Sequence, residues 1–155
     1  LGIPAAGIVD IDVLKEGGSV WSSFLEGGFL PEIERQSLSS LRNGIKQRLD
    51  ATGKDMKRDG GVELLTGGDK EAANNLFDRL SEYGLFVVRT GELESWLSAL
   101  FENTHGPNWL VGVFEKMGED PSADSYVRPS TDDVWAFIRQ VNLWLTNPNR
   151  KGIPT

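Results

Sequence analysis

The sequence predicts an α/β fold, with a small, mainly parallel sheet flanked by helices and a helical C-terminal half. Two short segments that are almost wholly apolar indicate strands, one from Ala5 to Ile11 and one over Leu85–Val88. Apolar residues recur with helical spacing between and after these segments. Isolated apolar strands that alternate with helices are typical of a parallel sheet covered by helices.

The composition excludes several classes of protein and site. A chain of 155 residues, a quarter of them charged, is expected to form one soluble domain. It has no cysteine, which excludes disulfides and thiolate metal sites, and its single histidine, His105, excludes a zinc site built from a histidine cluster. The net charge of −7 argues against a general nucleic-acid coat protein. A nuclease stays open, because acidic metal ligands contribute to that charge.

The sequence carries no signal for a membrane. No apolar run approaches the roughly 20 residues that cross a bilayer, and the N-terminus lacks the layout of a signal peptide. We therefore expect a cytoplasmic protein with no membrane partner. The chain starts at Leu1 and enters its first strand almost at once, so we expect it to be part of a longer protein.

The first strand carries two aspartates, Asp10 and Asp12, within the stretch Gly7–Val13. Residues two apart on a strand point to the same face, so the two carboxylates are predicted to lie side by side. Like charges at that distance repel unless a divalent cation neutralises both, and hard oxygen ligands suit Mg²⁺ or Mn²⁺. The spacing is equally consistent with a strand that ends at Asp10 and a turn capped by Asp12.

Two helices are predicted after the first strand. The first begins at Ser19 as N-cap and runs through Leu25, before Gly27 and Gly28. The second has Pro31 in its first turn. Its apolar stripe consists of Ile33, Leu38, Leu41, Ile45 and Leu49.

A polar connector and a third helix come next. Residues 50–61 contain glycine and are locally basic, so we expect a solvated loop. Its cations could contact phosphate instead; they are Lys54, Lys57 and Arg58. Asp69 opens the third helix, and Gly84 ends it in a left-handed conformation. The buried face of this helix is formed by Ala72, Ala73, Leu76, Phe77 and Leu80.

A second acidic pair, Glu92 and Glu94, follows the strand Leu85–Val88. In parallel sheets, ligands gather at the carboxyl ends of the strands, so these acids are predicted to lie near Asp10 and Asp12. Acids in the first turn of a helix also interact favourably with its dipole, which is the simpler explanation for each glutamate alone. The apolar side of the helix predicted here consists of Leu93, Trp96, Leu97, Leu100 and Phe101.

The remaining chain is predicted to be helical. One helix begins at Pro107 or Asn108 and ends at Gly118. A final helix has Thr131 as N-cap, followed by Asp132 and Asp133, and stops at Asn147-Pro148. Tryptophans at helical spacing in this part indicate core packing rather than a platform for stacked bases.

Three motifs resemble the later part of a TOPRIM (topoisomerase-primase) domain, as found in ATP-dependent endonucleases of the OLD (overcoming lysogenization defect) family. They are Gly7–Asp12, Tyr83–Val88 and Thr90–Glu94. The resemblance implies a DNA endonuclease that uses two Mg²⁺ or Mn²⁺ ions, in an anti-phage defence protein. DNA would be the substrate. ATP would bind only outside this chain, on an upstream ATPase domain of the same protein.

The resemblance also implies roles for individual residues. Asp10 and Asp12 match the family's D-x-D ligands, and Glu92 and Glu94 match its second acidic pair; all four are implied metal ligands. Asp10, Asp12 and Glu94 are the implied catalytic acids. The family's catalytic lysine follows the second acidic motif, which makes Lys116 the candidate and Lys151 the alternative.

The resemblance also divides the chain: residues 1–104 would be the TOPRIM-like part and 105–155 a helical extension. The family's first catalytic glutamate precedes this sequence, so we expect the chain alone to be catalytically incomplete.

Two alternatives accompany this prediction. The domain would be a non-catalytic scaffold if the acids are only helix caps. Its tryptophan-rich helices would then dock an ATPase domain or another copy of the chain. The D-x-D strand also occurs in haloacid-dehalogenase-like phosphohydrolases, but there a later acidic pair ends a strand, whereas Asp132 and Asp133 are predicted to start a helix.

Overall fold

A computed structural model describes residues 3–96, 106–128 and 134–152. These ranges contain five α-helices and a two-stranded parallel sheet, which confirms the predicted mixed α/β class. The α-helices are α1 (Gly18–Gly27), α2 (Glu32–Ala51), α3 (Gly67–Ser81), α4 (Pro107–Met117) and α5 (Val134–Thr146). The strands are β1 (Gly7–Asp10) and β2 (Leu85–Val88), and short 3₁₀ helices cover Ile11–Leu14, Gly61–Leu64 and Leu93–Ser95.

The two strands lie side by side and run in the same direction. Gly7 is opposite Leu85, and Asp10 is opposite Val88. The connection between them passes through α1, α2 and α3. Both carboxyl ends therefore meet at one edge of the sheet, as the sequence predicted.

Strand β2 is buried on both faces, as its unbroken apolar sequence predicts. Leu85 and Val87 belong to the core formed with α1, α2 and α3. Phe86 points the other way, where its ring packs edge-on against Phe137 and Trp144 of α5 at 5.9 and 6.4 Å. The sheet is thus sandwiched between two helical layers at β2.

Strand β1 is less buried than the sequence predicted. Val9 packs against the core of α1 to α3, but the side chain of Ile8 is 50 % exposed. Ile8 pairs with Phe86 and so lies on the same face of the sheet, the face that α5 covers at β2. The prediction of a strand buried on both faces is therefore wrong for β1, which is an edge strand in the described part of the chain.

The larger core lies between α1, α2, α3 and the sheet. Helix α3 supplies Leu76, Phe77 and Leu80, which are almost inaccessible to solvent. The predicted stripe on α2 is confirmed from Leu38 onward, but Ile33, in the first turn of α2, is 77 % exposed.

Arg42 occupies a buried position on α2 that apolar spacing does not identify. Its guanidinium lies 5.4 Å from the centre of the Trp21 ring and donates a hydrogen bond of 2.8 Å to the side chain of Asn43. Burial lowers the pKa of Arg42, and nearby Glu16 opposes this shift. An arginine packed flat on an aromatic ring can replace an apolar residue at such a boundary.

Helix α5 is fixed to the amino end of β2 by Trp144. The indole Nε1 donates a hydrogen bond of 3.0 Å to the carbonyl oxygen of Glu82. The ring lies against Gly84, where a Cβ would come within 2.5 Å of it. Gly84 has a φ of +76°, so the predicted left-handed residue is confirmed, although α3 itself ends earlier, at Ser81.

Other predicted boundaries vary in accuracy. Helix α1 has Gly17, not Ser19, at its N-cap, because the helix begins two residues earlier than the serine suggested. Helix α4 begins at Pro107 and ends before Gly118, as predicted. None of the described helices has the length and apolar character needed to cross a membrane. The predicted residues that lie outside the described ranges are Leu97, Leu100, Phe101, His105, Thr131, Asp132 and Asp133.

Candidate metal centre

A cleft of about 390 Å³ opens at the carboxyl ends of β1 and β2. It is lined by Asp10, Lys57, Arg58, Glu92, Leu93 and Glu94. The structure therefore brings one residue of the first acidic motif together with both residues of the second. This arrangement arises because the turns after two parallel strands leave the sheet at the same edge.

Asp10 and Asp12 do not project from one strand. Asp10 is the last residue of β1, whereas Asp12 lies in the 3₁₀ helix Ile11–Leu14. The chain turns here because Ile11 and Leu14 are both buried in the core, and the Ile11 N–H donates a hydrogen bond of 3.0 Å to the Gly91 carbonyl. The prediction of two side chains on one strand face is wrong. Asp10 occupies the N-cap position of the turn, but its side chain makes no capping hydrogen bond.

A single ammonium group links the two aspartates. Lys57 Nζ lies 2.8 Å from Asp10 Oδ2 and 3.7 Å from Asp12 Oδ2. The pKa of Lys57 is raised, and the main cause is the hydrogen bond to Asp10. Burial lowers this pKa, whereas the negative charges of Asp10, Asp12 and Glu92 raise it further. The expectation that the connector is simply solvated is therefore wrong for Lys57.

The backbone around Lys57 is fixed at two points. Asp55 Oδ1 accepts hydrogen bonds from the backbone N–H groups of Lys57 at 2.8 Å and Arg58 at 3.3 Å, and the first of these is the main cause that lowers the pKa of Asp55. The Lys57 carbonyl packs on Gly91, where any Cβ would overlap it. Asp55 and Gly91 together place Lys57 next to the turn that leads into Glu92.

The two glutamates have different surroundings. Glu92 is buried, with 9 % of its surface exposed, and its charge acts on Lys57. Glu94 Oε1 accepts a hydrogen bond of 2.9 Å from the backbone N–H of Gly106, the N-cap residue of α4. Glu94 therefore also ties the start of α4 to the cleft. Where an α-helix was predicted after Glu92, the described residues form only the short 3₁₀ helix Leu93–Ser95, which ends at an extended Trp96.

The oxygen atoms near the cleft are of the chemical type that a hard divalent cation prefers as ligands. Carboxylate oxygens from Asp10, Glu92 and Glu94 line the cleft, and the buried hydroxyl of Thr90 has no hydrogen-bond partner in the described part of the chain. The present arrangement is not a finished coordination shell: among residues 3–96, 106–128 and 134–152, no three acidic or histidine side chains are grouped closely enough to hold one metal ion. An ion that binds Asp10 through Oδ2 would compete with the ammonium of Lys57 for that oxygen.

Neither lysine suggested by the family resemblance lines the cleft. Lys116 is exposed on α4. Lys151 forms an ion pair with Glu82 and lies over the ring of Tyr83, next to the amino end of β2 and thus at the opposite end of the strand from Glu92. The cation that does line the cleft is Lys57, which the sequence marked as a possible phosphate contact but not as a partner of Asp10. The available signals were the cluster of cations in its loop and the glycine pair, Gly60-Gly61, that follows it.

Comparison with known proteins leaves the family unassigned. The resemblance to TOPRIM domains remains a prediction from three short motifs. The chain matches no protein-family model, and neither curated proteins nor solved structures give a significant match.

Proposed function

We propose that this chain supplies part of a Mg²⁺- or Mn²⁺-dependent site for phosphodiester hydrolysis, and that it belongs to the nuclease portion of an ATPase-linked DNA endonuclease. The observation that supports this most directly is the cleft in which Asp10, Glu92 and Glu94 lie with Lys57 and Arg58. Acidic ligands beside cations are what a site for a metal and a phosphate requires.

Each part of the cleft has a role in this proposal. Bound divalent ions supply a Lewis acid and a water of lowered pKa. Asp10, Glu92 and Glu94 provide hard oxygen ligands, and Asp12 adds negative charge behind Asp10. Lys57 and Arg58 offset charge on the non-bridging phosphate oxygens, so they replace Lys116 and Lys151 as the proposed phosphate-binding cations.

The TOPRIM resemblance supports the wider setting of the proposal. It suggests DNA as substrate, an upstream ATPase domain in the same protein, and a role in defence against phage. It also suggests that a further acidic ligand comes from a preceding strand.

The decisive experiment measures DNA cleavage by the full-length protein in Mn²⁺. Asp10→Asn and Glu94→Gln are each expected to lower the cleavage rate by about 100-fold or more, because even outer-shell partners of a metal cost 10–100-fold when removed. Asp124→Asn and Glu119→Gln are the matched controls, since both acids are exposed and lie outside the cleft. Undiminished cleavage by both cleft variants would rule out the proposed site.

A non-catalytic interaction module is the second candidate. Two of the proposed ligands already have protein partners, Asp10 with Lys57 and Glu94 with Gly106. Helix α4 also exposes apolar side chains, including Phe114 at 59 %, that could dock an ATPase domain or a second copy. Thermal unfolding in millimolar Mn²⁺ separates the two functions. A rise in Tm that disappears in Asp10→Asn supports the metal site, and no rise supports the interaction module.

A further inference from the structure

We propose that Lys57 is a displaceable counter-ion of the metal centre. Its ammonium neutralises Asp10 and Asp12 until a divalent cation takes its place, and the released side chain then contacts the phosphate of the substrate. This inference rests on the proposed function, because it requires that Asp10 bind a metal.

A metal ion and the Lys57 ammonium would compete for the same oxygen of Asp10. Lys57 Nζ is within hydrogen-bonding distance of Asp10 and within ion-pair distance of Asp12, on the Oδ2 atom of each. A divalent ion bound through Oδ2 of Asp10 would share that space with an ammonium of like charge, which is strongly unfavourable in a partly buried cleft. Metal binding through this oxygen therefore breaks the contact between Lys57 and Asp10.

The side chain can move while its backbone stays in place. Asp55 and Gly91 fix the main chain of Lys57. The side chain itself is 32 % exposed, and lysine carries its charge on a flexible four-carbon stem. Release would therefore be a change of rotamer, with no rearrangement of the loop.

The released ammonium would remain in the cleft beside Arg58. The Arg58 side chain lines the same cleft and forms no ion pair with any described residue. Two cations would then face the phosphate only after metal has bound. This couples metal loading to substrate binding: each is expected to strengthen the other.

Removing the ammonium should have opposite effects on the two states of the site. Without metal, Lys57→Met leaves Asp10 and Asp12 without their shared cation, so the Tm is expected to fall. With Mn²⁺, the competitor is gone, and calorimetric titration is expected to show a Kd about tenfold lower than in the wild type, the factor that about 1.4 kcal/mol produces. Lys54→Met is the control, because Lys54 is exposed in the same loop and forms no ion pair with a described residue.

A measurement on the unmodified protein does not depend on how well the variant folds. Nitrogen-15 NMR of lysine ammonium groups during a Mg²⁺ titration is expected to show the Lys57 signal moving towards the position of an exposed lysine. The Lys54 signal should stay where it is. A Lys57 signal that is unchanged while Mg²⁺ binds would overturn the counter-ion role.

The outcomes separate this inference from the proposed function. If Mn²⁺ binds the wild type and not Asp10→Asn, but binds Lys57→Met no more tightly than the wild type, the metal site stands and the counter-ion role is wrong. If Mn²⁺ binds Lys57→Met but not the wild type, the ammonium is a permanent partner of Asp10 and the displaceable counter-ion role is wrong. If neither of these proteins binds Mn²⁺, the proposed function and this inference are both wrong.

Discussion

Two glycines allow the loop before the third helix to pack directly on the turn after β2. Gly91 has a φ of +121°, and a Cβ there would overlap the carbonyl of Lys57. Gly61 has a φ of +58°, and a Cβ there would overlap the carbonyl of Arg89. Val62 then donates a backbone hydrogen bond of 2.8 Å to that same carbonyl. The position of Lys57 thus depends on backbone contacts that only glycine permits.

Replacing Gly91 by alanine tests this contact. Gly91→Ala is expected to lower the free energy of unfolding by about 2 kcal/mol or more, because backbone strain of 1–3 kcal/mol adds to the overlap with Lys57. Gly53→Ala is the matched control: Gly53 also has a positive φ, of +68°, but a Cβ there meets open space. Urea unfolding measures both, and equal losses would show that the contact with Lys57 is unimportant.

The Asp55 carboxylate gives the loop a pH-dependent stability. Hydrogen bonds from the backbone of Lys57 and Arg58 hold the pKa of Asp55 below 3.8, its ordinary value. The stabilisation is fully present above that value and is lost as the pH falls through the lower pKa of the folded state. We expect wild type to be more stable than Asp55→Asn at pH 7 and this difference to shrink below about pH 4. Thermal unfolding of both proteins at several pH values measures it, and a difference that grows in acid would contradict the assignment.

At the scale of elements, α5 is attached to the sheet through a small number of aromatic contacts. Trp144 is its buried side chain, and it combines ring packing on Gly84 with a hydrogen bond to Glu82. Trp135 lies on the same helix but is 44 % exposed. The two tryptophans therefore form a natural pair for comparison.

Trp144→Phe keeps an aromatic ring but removes the indole N–H. The Glu82 carbonyl loses its partner and the smaller ring leaves space, so the free energy of unfolding should fall by about 1–3 kcal/mol. Trp135→Phe should change it by less than about 0.5 kcal/mol. Urea unfolding followed by far-ultraviolet circular dichroism makes the comparison. A larger effect at Trp135 would show that α5 is anchored differently.

The elements that the sequence predicts well are those defined by local pattern. β2, the buried stripe of α3 and the start of α4 at Pro107 follow from apolar spacing and proline position. β1 is different: its apolar run matches that of β2, but its exposure depends on how far α5 extends over the sheet. No window of sequence around Ile8 contains that information.

The candidate site was predictable only in part, for a related reason. The rule for parallel strands brings Asp10 to the same edge as Glu92 and Glu94, and the cleft contains all three. The turn at Asp12 arises from a backbone contact with Gly91. The role of Lys57 arises from a second contact with the same glycine. Both contacts join segments far apart in sequence, so residue spacing near Asp12 or Lys57 does not reveal them.

At the scale of the whole molecule, β2 joins the two helical layers. Val87 faces the core of α1 to α3, and Phe86 faces α5. A substitution that destabilises the packing on one face of β2 should therefore also destabilise the helices on the other face. A single cooperative unfolding transition is the expected behaviour of such a molecule.

Phe86→Ala tests whether the layers unfold together. It is expected to lower the free energy of unfolding by about 3–5 kcal/mol, as truncation of a buried phenylalanine usually does. Hydrogen exchange should then show reduced protection in α3 as well as in α5. Reduced protection confined to α5 would mean that this helix undocks alone and that the molecule is not one cooperative unit.

The parallel pairing of β1 with β2 also governs when the protein can fold during synthesis. β1 leaves the ribosome before its pairing partner, which follows only after α1, α2 and α3 have been made. Closing so long a loop carries an entropic cost that slows folding. We expect ribosome-stalled chains to resist protease only once Val88 has emerged, and early resistance at β1 would contradict this. The acidic cleft would then form only after Glu92 and Glu94 have followed β2 out of the ribosome, long after Asp10 has been translated.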